Sequence, residues 1–249
     1  MIFRPGYGPP CKNNTQPPTI YKIVIQWGRL LATYQNPSII DNSCYNSNMV
    51  TIVIQAGGRS SRMGQDKGLV LLAGKPLIEH ILERVAGFGD QLLLVTNQPP
   101  NYAYLNLPMV SDPVPGAGAL PGLHTALQAA KGEHILLVAC DMPFIQRPLL
   151  EKLLALRFEA DLVVPFWENN YQTTLAVYAR RPCFAAVSAA LQRGEKRLIS
   201  FYDQITVLKV NEEAIKLVDP AGISFFNINT PADLAEAALK MINESVNRG

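Results

Sequence analysis

Four glycines and three cations lie close together in the stretch AGGRSSRMGQDKG, which covers residues 56–68. Gly57 and Gly58 have no Cβ, so an anion can approach the backbone N–H groups of such a loop without steric hindrance. Arg62 and Lys67 can add charge-assisted hydrogen bonds to phosphate oxygens. The Walker A and G-x-G-x-x-G patterns are absent. The stretch favours a polyphosphate-binding loop, and the alternative is a solvated turn with ordinary surface cations.

A carboxylate and two amides follow other apolar runs of the chain. Asp141 comes directly after HILLVAC, residues 134–140. A carboxylate at the end of a buried strand is well placed to hold Mg²⁺, which prefers oxygen ligands and often shares them with bound phosphates. Asn227 and Asn229 lie two residues apart in FFNINTP, which we expect to be a strand with both side chains on one side. The alternatives are helix-cap or turn roles for these residues.

Apolar strand-like runs and helical patterns alternate regularly from Met49 onward. Helical patterns such as PLIEHILERVAGF and LPGLHTALQAAK separate apolar strand-like runs at VTIVIQ, QLLLVT, LPMV, HILLVACD and DLVVPF. This alternation predicts an α/β domain with a mostly parallel sheet and helices on both faces. Strand-like TTLAVYAR and ITVLKV follow, with a helix near 182–191 between them. A last amphipathic helix is predicted over 231–246, with Thr230 as its N-cap.

Ligands of open parallel sheets bind at the carboxyl ends of the strands. The loop that follows Gln55, the turn at Asp141 and the segment with Asn227 and Asn229 should therefore lie along one edge of the sheet. Asp112, which follows LPMV, is a further polar residue at a strand end. The pattern thus places all the candidate residues at one edge.

Residues 1–48 differ in composition from the remainder of the chain. They are rich in proline, asparagine and serine, and they contain a single apolar run, YKIVIQWGRLLATY. Such a run is too isolated to form a core alone. We expect residues 1–48 to be an irregular leader, either disordered or the result of a mis-assigned start, and residues 49–249 to form the α/β domain.

Composition and charge exclude several classes of function. A net charge of +2 without a basic stripe argues against a nucleic-acid partner. Apolar runs stay well below the roughly 18 residues of a membrane span, and no signal peptide is recognisable, so no membrane partner and a cytoplasmic location are expected. The cysteines are Cys11, Cys44, Cys140 and Cys183. They lie too far apart for a zinc site or a disulfide scaffold.

The stretch IQAGGRSSRMGQDKGLVLLAGKPLIEHI, residues 54–81, closely resembles the signature of the molybdenum cofactor guanylyltransferases, L-A-G-G-x-S-x-R-M-G-x-D-K-x-L-x-x-x-x-G-x-P-L. GALPGLHTAL, CDMPF and NINTPADL follow in the order of that family, and the resemblance spans Met49 to about Lys240. It implies a Rossmann-like, three-layer nucleotidyltransferase fold. It also implies a reaction: Mg²⁺-dependent transfer of GMP from GTP to the terminal phosphate of molybdenum-bearing molybdopterin, with release of pyrophosphate.

The resemblance further implies roles for individual residues. Arg62 and Lys67 would neutralise charge as the α-phosphate is attacked, and Asp141 would hold Mg²⁺ with Asn229 nearby. The attacking phosphate monoester is already anionic near neutral pH, so positioning and electrostatics would suffice without a Ser, Cys or His nucleophile. The residues expected to bind the nucleotide are Gln55, Ala56, Gly57, Gly58, Lys67, Asn97, Asp112 and Asp141. The pterin substrate is expected at Asn227 and Asn229.

Three positions depart from the family pattern. Gln55 stands where Leu is usual, Ala119 and Pro121 exchange the usual Pro and Ala, and Thr174 replaces a Pro in YQTTLAVY.

Two alternatives of the same fold stay open. Molybdopterin cytidylyltransferases commonly carry Asn-Lys, and sugar-phosphate nucleotidyltransferases commonly carry Pro-Lys, where this chain has Asp66-Lys67. A non-catalytic nucleotide-binding module is the remaining alternative.

Overall fold

The computed structural model of the chain describes residues 48–56, 66–112 and 118–246. The ten strands are β1 (Val50–Gln55), β2 (Leu71–Leu72), β3 (Lys75–Pro76), β4 (Gln91–Val95), β5 (Met109–Val110), β6 (His134–Ala139), β7 (Leu162–Trp167), β8 (Asn170–Tyr171), β9 (Leu175–Ala179) and β10 (Val207–Val210), counted within those ranges. Their α-helices are α1 (Leu77–Val85), α2 (Pro99–Tyr102), α3 (Ala119–Ala129), α4 (Arg147–Ala155), α5 (Arg180–Gln192), α6 (Glu212–Lys216) and α7 (Pro231–Val246). None of these helices is long and apolar enough to cross a membrane.

Seven strands form the central sheet in the order β10-β7-β9-β6-β1-β4-β5, and β8 is added on β7. β1 pairs in parallel with both β4 and β6. β5 pairs in parallel with β4, and β10 pairs in parallel with β7. β9 runs antiparallel between β6 and β7. The prediction of a mostly parallel sheet is confirmed. The opposite direction of β9 brings its first residues to the edge where β6 ends.

Helices cover both faces of this sheet. Successive β1 residues point to opposite sides: Ile52 and Ile54 belong to the apolar cluster that contains residues of α1 and α4, and Val53 belongs to the cluster that contains residues of α3 and α5. β1 is buried from Val50 to Ile54, as expected for a parallel strand that is covered twice. The predicted three-layer α/β fold is therefore confirmed.

The prediction of a strand in FFNINTP is wrong. Residues Ile223–Phe225 form a 3₁₀ turn, and residues 226–229 have no regular secondary structure. The Asn227 Nδ2 donates to the Phe225 carbonyl at 2.9 Å, a local hydrogen bond of the kind by which Asn competes with sheet pairing. One backbone bond, from the Ile228 N–H to the Asp141 carbonyl at 2.9 Å, still holds the segment beside the end of β6.

The predicted start of α7 is confirmed in detail. The Thr230 hydroxyl accepts from the Asp233 N–H at 3.2 Å, and Asp233 Oδ2 accepts from the Thr230 N–H at 2.8 Å. This reciprocal pair is a capping box, in which two donors of the first turn are satisfied. The segment that precedes α7 is thus held at a defined position.

The interpretation of residues 1–48 as a leader lies outside the described residues, except for Asn48, and stays a prediction. We expect a chain beginning at Met49 to fold with an almost unchanged melting temperature, because the described core starts at β1 and the Val50 N–H is bonded to Asp90 Oδ2 at 2.9 Å. Circular dichroism melts of both chains would measure this. A chain beginning at Ile54, which lacks most of β1, is the unfolded control. Insolubility of the Met49 chain would reject the interpretation.

Candidate active site

Three polar side chains from distant parts of the sequence meet at the carboxyl edge of the sheet. The Lys67 Nζ donates to Asp141 Oδ2 at 2.9 Å and to Asn229 Oδ1 at 2.5 Å, across sequence separations of 74 and 162 residues. The exposed fractions of the Lys67 and Asp141 side chains are 20% and 14%, so solvent screens this ion pair less than a surface pair. We call Lys67, Asp141 and Asn229 the lysine cluster. The sequence predicted all three residues as parts of one site.

The end of β6 positions Asp141. The Cys140 N–H donates to the Gln55 carbonyl at 3.2 Å and so extends the pairing with β1 by one residue. Asp141 is the first residue beyond that bond. Cys140 is buried, and burial raises the pKa of its thiol well above the ordinary value. The thiol therefore stays protonated at neutral pH, in agreement with a site that needs no cysteine nucleophile.

The start of α7 positions Asn229. Its backbone N–H donates to Asp233 Oδ2 at 2.8 Å, the same oxygen that accepts from Thr230. The bond from the Asn229 backbone is the main reason why the pKa of Asp233 is lowered. Sequence reasoning did not single out Asp233 as part of the site. The signal was available, since T-P-A-D at 230–233 fits the [ST]-x-x-[DE] capping pattern.

The lysine cluster fits a magnesium ion that is shared with phosphates. Asp141 Oδ1 is buried and has no hydrogen-bond partner among the residues that the structure describes. Asn229 contributes an amide oxygen beside it. No group of three or more His, Cys, Asp or Glu residues that could hold a metal occurs within the described ranges, and Mg²⁺ commonly takes one or two carboxylates together with phosphate oxygens and water. Asp141 and Asn229 are therefore suited to Mg²⁺ only with a bound phosphate group.

A buried tyrosine supports the backbone at Lys67. Asp66 caps the 3₁₀ turn Lys67–Leu69, and its Oδ1 accepts from the Gly68 N–H at 3.1 Å and from the Tyr102 hydroxyl at 2.5 Å. Tyr102 is fully buried. Burial raises the pKa of its hydroxyl well above the ordinary value, so the group keeps its proton and donates. Sequence reasoning missed Tyr102, which lies 36 residues from its partner in no recognisable motif.

The backbone at the end of β1 takes part mainly in the sheet. The Ala56 N–H donates to the Val95 carbonyl at 2.9 Å, and the Gln55 carbonyl accepts from Cys140. The Gln55 side chain extends to α3, where a Cβ at Gly122 would overlap its Nε2. A side chain at position 122 would therefore displace the end of the flexible Gln55 side chain. Gln55 and Ala56, which the sequence predicts as nucleotide contacts, therefore use these backbone groups within the sheet.

Two other predicted nucleotide contacts lie side by side at the ends of β4 and β5. Asn97 Oδ1 accepts from the Asp112 N–H at 2.9 Å, and Asp112 is 8% exposed. Gly57, Gly58 and Arg62 lie outside the described residues. The structure therefore forms two separate groups of predicted residues. One is the lysine cluster at the end of β6, and the other is the Asn97–Asp112 pair at the ends of β4 and β5. The structure does not place Asn227 on a common strand face with Asn229.

Comparisons with known proteins agree with this geometry. A sequence model described as the MobA-like NTP transferase domain matches residues 52–206. The chain is 34% identical over 194 residues to a probable molybdenum cofactor guanylyltransferase of Carboxydothermus hydrogenoformans, covering 78% of this chain and 97% of that protein. It is also 34% identical over 187 residues to the molybdenum cofactor guanylyltransferase of Vibrio cholerae, covering 74% and 89%.

A solved structure shows the same fold. The crystal structure of molybdopterin-guanine dinucleotide biosynthesis protein A from Archaeoglobus fulgidus superposes with a TM-score of 0.68 at 28% sequence identity, covering 78% of this chain and 99% of that one. The range that the sequence model matches, residues 52–206, contains Lys67 and Asp141. The chain therefore belongs to the MobA-like NTP transferase family and is a nucleotidyltransferase.

Proposed function

We propose that the protein transfers GMP from GTP to the terminal phosphate of molybdenum-bearing molybdopterin, producing molybdopterin guanine dinucleotide and pyrophosphate. The observation that carries this proposal is the lysine cluster, in which a cation, a carboxylate with a buried unpartnered oxygen and an amide meet at the carboxyl edge of the sheet. The names of the relatives support the choice of substrates.

The reaction forms one phosphorus–oxygen bond and breaks another. A terminal phosphate oxygen of the acceptor attacks the α-phosphorus of GTP, and the bond from the α-phosphorus to the bridging oxygen of the β-phosphate breaks. Lys67 would stabilise the negative charge that develops on the phosphate oxygens, which is the type of electrostatic contribution on which such transfers depend. Mg²⁺, when bound by Asp141 and Asn229, would add charge neutralisation at the same phosphates. The charged acceptor phosphate needs no general base.

In the strand order of the sheet, β6 divides the strands into two groups of three. β1, β4 and β5 lie on one side with the Asn97–Asp112 pair, and β9, β7 and β10 lie on the other. On this second side, a pocket of about 400 Å³ is lined by residues that include Tyr171, Arg197 and Asn170. The Thr174 hydroxyl, at the nearby start of β9, lies 3.9 Å from the sulfur of Met142, which follows Asp141. We place the nucleotide on the first side and the acceptor on the second, so that they meet at Asp141.

Base selection tests the proposal directly. We expect GTP to be used at least about tenfold better than CTP or ATP, a difference of only about 1.4 kcal/mol in the transition state. A site that hydrogen-bonds guanine leaves buried polar groups unpaired when the smaller cytosine binds. Competition among all four nucleoside triphosphates with one molybdopterin substrate, followed by mass spectrometry of the products, measures the preference. A higher kcat/KM for CTP would replace the guanylyl assignment by the cytidylyl alternative.

A further inference from the structure

Tyr102 is not among the residues expected to contact substrate, and yet its hydroxyl is bonded to Asp66, the residue that precedes Lys67. Its hydroxyl and the Gly68 N–H share one acceptor, Asp66 Oδ1. A hydrogen bond to an ionised acceptor is stronger than one between neutral groups, and burial strengthens it further. Because the residues on both sides of Lys67 are fixed by that one oxygen, the direction of the lysine side chain depends on it.

The packing at Gly68 shows that this arrangement tolerates little change. A Cβ at Gly68 would lie 2.5 Å from the Tyr102 hydroxyl oxygen and 3.2 Å from two carbons of its ring. The ring itself is fully buried and cannot move aside easily. Glycine at 68 is therefore what allows the tyrosine to reach Asp66.

The position of Tyr102 in the chain adds a second connection. Tyr102 is the last residue of α2, which begins two residues after Asn97. Asn97 in turn accepts from the Asp112 N–H. The hydroxyl of Tyr102 thus joins α2, which follows the nucleotide-binding candidate Asn97, to Asp66, the neighbour of Lys67 in the chain.

We propose that Tyr102 is a positioning residue for Lys67: its hydroxyl holds Asp66, and Asp66 holds the 67–69 turn, so that the Lys67 amine is directed at the triphosphate. This inference rests on the proposed function in one respect, namely that Lys67 contacts the triphosphate. The inference also makes Asp66 a positioning residue. Its carboxylate accepts from the Tyr102 hydroxyl and the Gly68 N–H, and it affects the nucleotide only by directing Lys67.

The test compares variants that remove the donor, the acceptor or both. Tyr102→Phe is expected to lower kcat about tenfold with KM for GTP changed less than about twofold, since a misdirected catalytic contact weakens the transition state and not ground-state binding. Asp66→Asn keeps an acceptor oxygen and should retain most of the activity. Asp66→Ala should lower kcat, and adding Tyr102→Phe to it should cause no further loss, because the hydroxyl then has no partner to hold.

A second fully buried tyrosine provides the matched control. The Tyr178 hydroxyl donates to the Thr173 carbonyl at 2.6 Å, and Tyr178 belongs to the apolar cluster of α3 and α5, whereas Tyr102 belongs to that of α1 and α4. Tyr178→Phe removes a comparable buried hydroxyl, so its melting temperature should fall about as much as that of Tyr102→Phe, with the kcat for a saturating acceptor unaffected. If Tyr102→Phe does not fold, Gly68→Ala replaces it, because its Cβ displaces the same hydroxyl and should lower kcat similarly. Equal losses of kcat in the two tyrosine variants, or an unchanged kcat in Tyr102→Phe, would overturn the inference.

A measurement without turnover separates this inference from the proposed function. Amide hydrogen exchange at Gly68 should be faster in Tyr102→Phe than in the wild type and unchanged in Tyr178→Phe, since the Gly68 N–H is bonded to the anchored carboxylate. A wild-type protein that releases no pyrophosphate from GTP and molybdopterin would reject the proposed function. The exchange rates would still show whether the Tyr102 hydroxyl holds Asp66 and the 67–69 turn. An active wild type with unchanged Gly68 exchange in Tyr102→Phe would reject the positioning role of Tyr102 alone.

Discussion

Asp141→Asn is expected to lower turnover by about 10²–10³-fold, the usual cost of removing one electrostatic contact made in the transition state. The substitution removes the charge that faces Lys67 and the anionic oxygen that has no other partner in the described structure. Asparagine has the same shape, so the melting temperature should change by only a few degrees. Pyrophosphate release and a thermal melt measure the two effects.

Asp90→Asn is the control for Asp141→Asn. Asp90 also uses a carboxylate oxygen, which accepts from the Val50 N–H at the amino end of β1, away from the lysine cluster. This variant should keep normal turnover. If Asp141→Asn also turned over normally, Asp141 would be an ordinary turn residue at a strand end, and the metal assignment would be lost with it.

Lys67→Ala is expected to lower kcat/KM for GTP by about 10²–10³-fold, because no other described residue of the cluster could replace a partly buried cation that neutralises phosphate charge. The variant also leaves Asp141 without its ion-pair partner, and this carboxylate is only 14% exposed. We therefore expect a measurable fall in melting temperature. Adding Asp141→Asn should restore part of it, since the unpaired charge is then removed.

Lys75→Ala provides the comparison for Lys67→Ala. Lys75 and Glu83 form an ion pair at 2.7 Å with exposed fractions of 33% and 66%, and such surface pairs contribute about 0–1 kcal/mol. Steady-state kinetics should show no change in this variant. Equal kinetics for Lys67→Ala and Lys75→Ala would mean that Lys67 is an ordinary surface cation, which was the alternative interpretation of the loop.

The fold was predictable because its core strands are buried on both faces. β1 and β6 appear in the sequence as largely apolar runs. When such runs alternate with helical patterns, few folds other than a parallel sheet with helices on both faces can bury them. The direction of β9 was not predictable, because the residue pattern of a buried strand does not depend on the direction of its neighbours. The false strand at FFNINTP has a similar origin: alternation of Asn and apolar residues also fits a segment held by a local bond at Asn227.

The candidate site was predictable where its residues are chemically distinctive and lie near strand ends. Lys67, Asp141 and Asn229 follow from that rule and from the family resemblance, and the structure brings them within hydrogen-bond distance. Tyr102 and Asp233 act by holding other residues. A buried tyrosine and an acid in a first helical turn are common in any α/β protein, so their types carry no signal until the contacts are known.

The long separation between Lys67 and Asn229 has a consequence for synthesis on the ribosome. Domains fold as units while the chain emerges from its amino end, and the bond between these residues spans 162 positions. Asn229 is held by the first turn of α7, the last described helix. A nascent chain that already contains Lys67 therefore still lacks Asn229, and the lysine cluster forms only after the start of α7 has been synthesised.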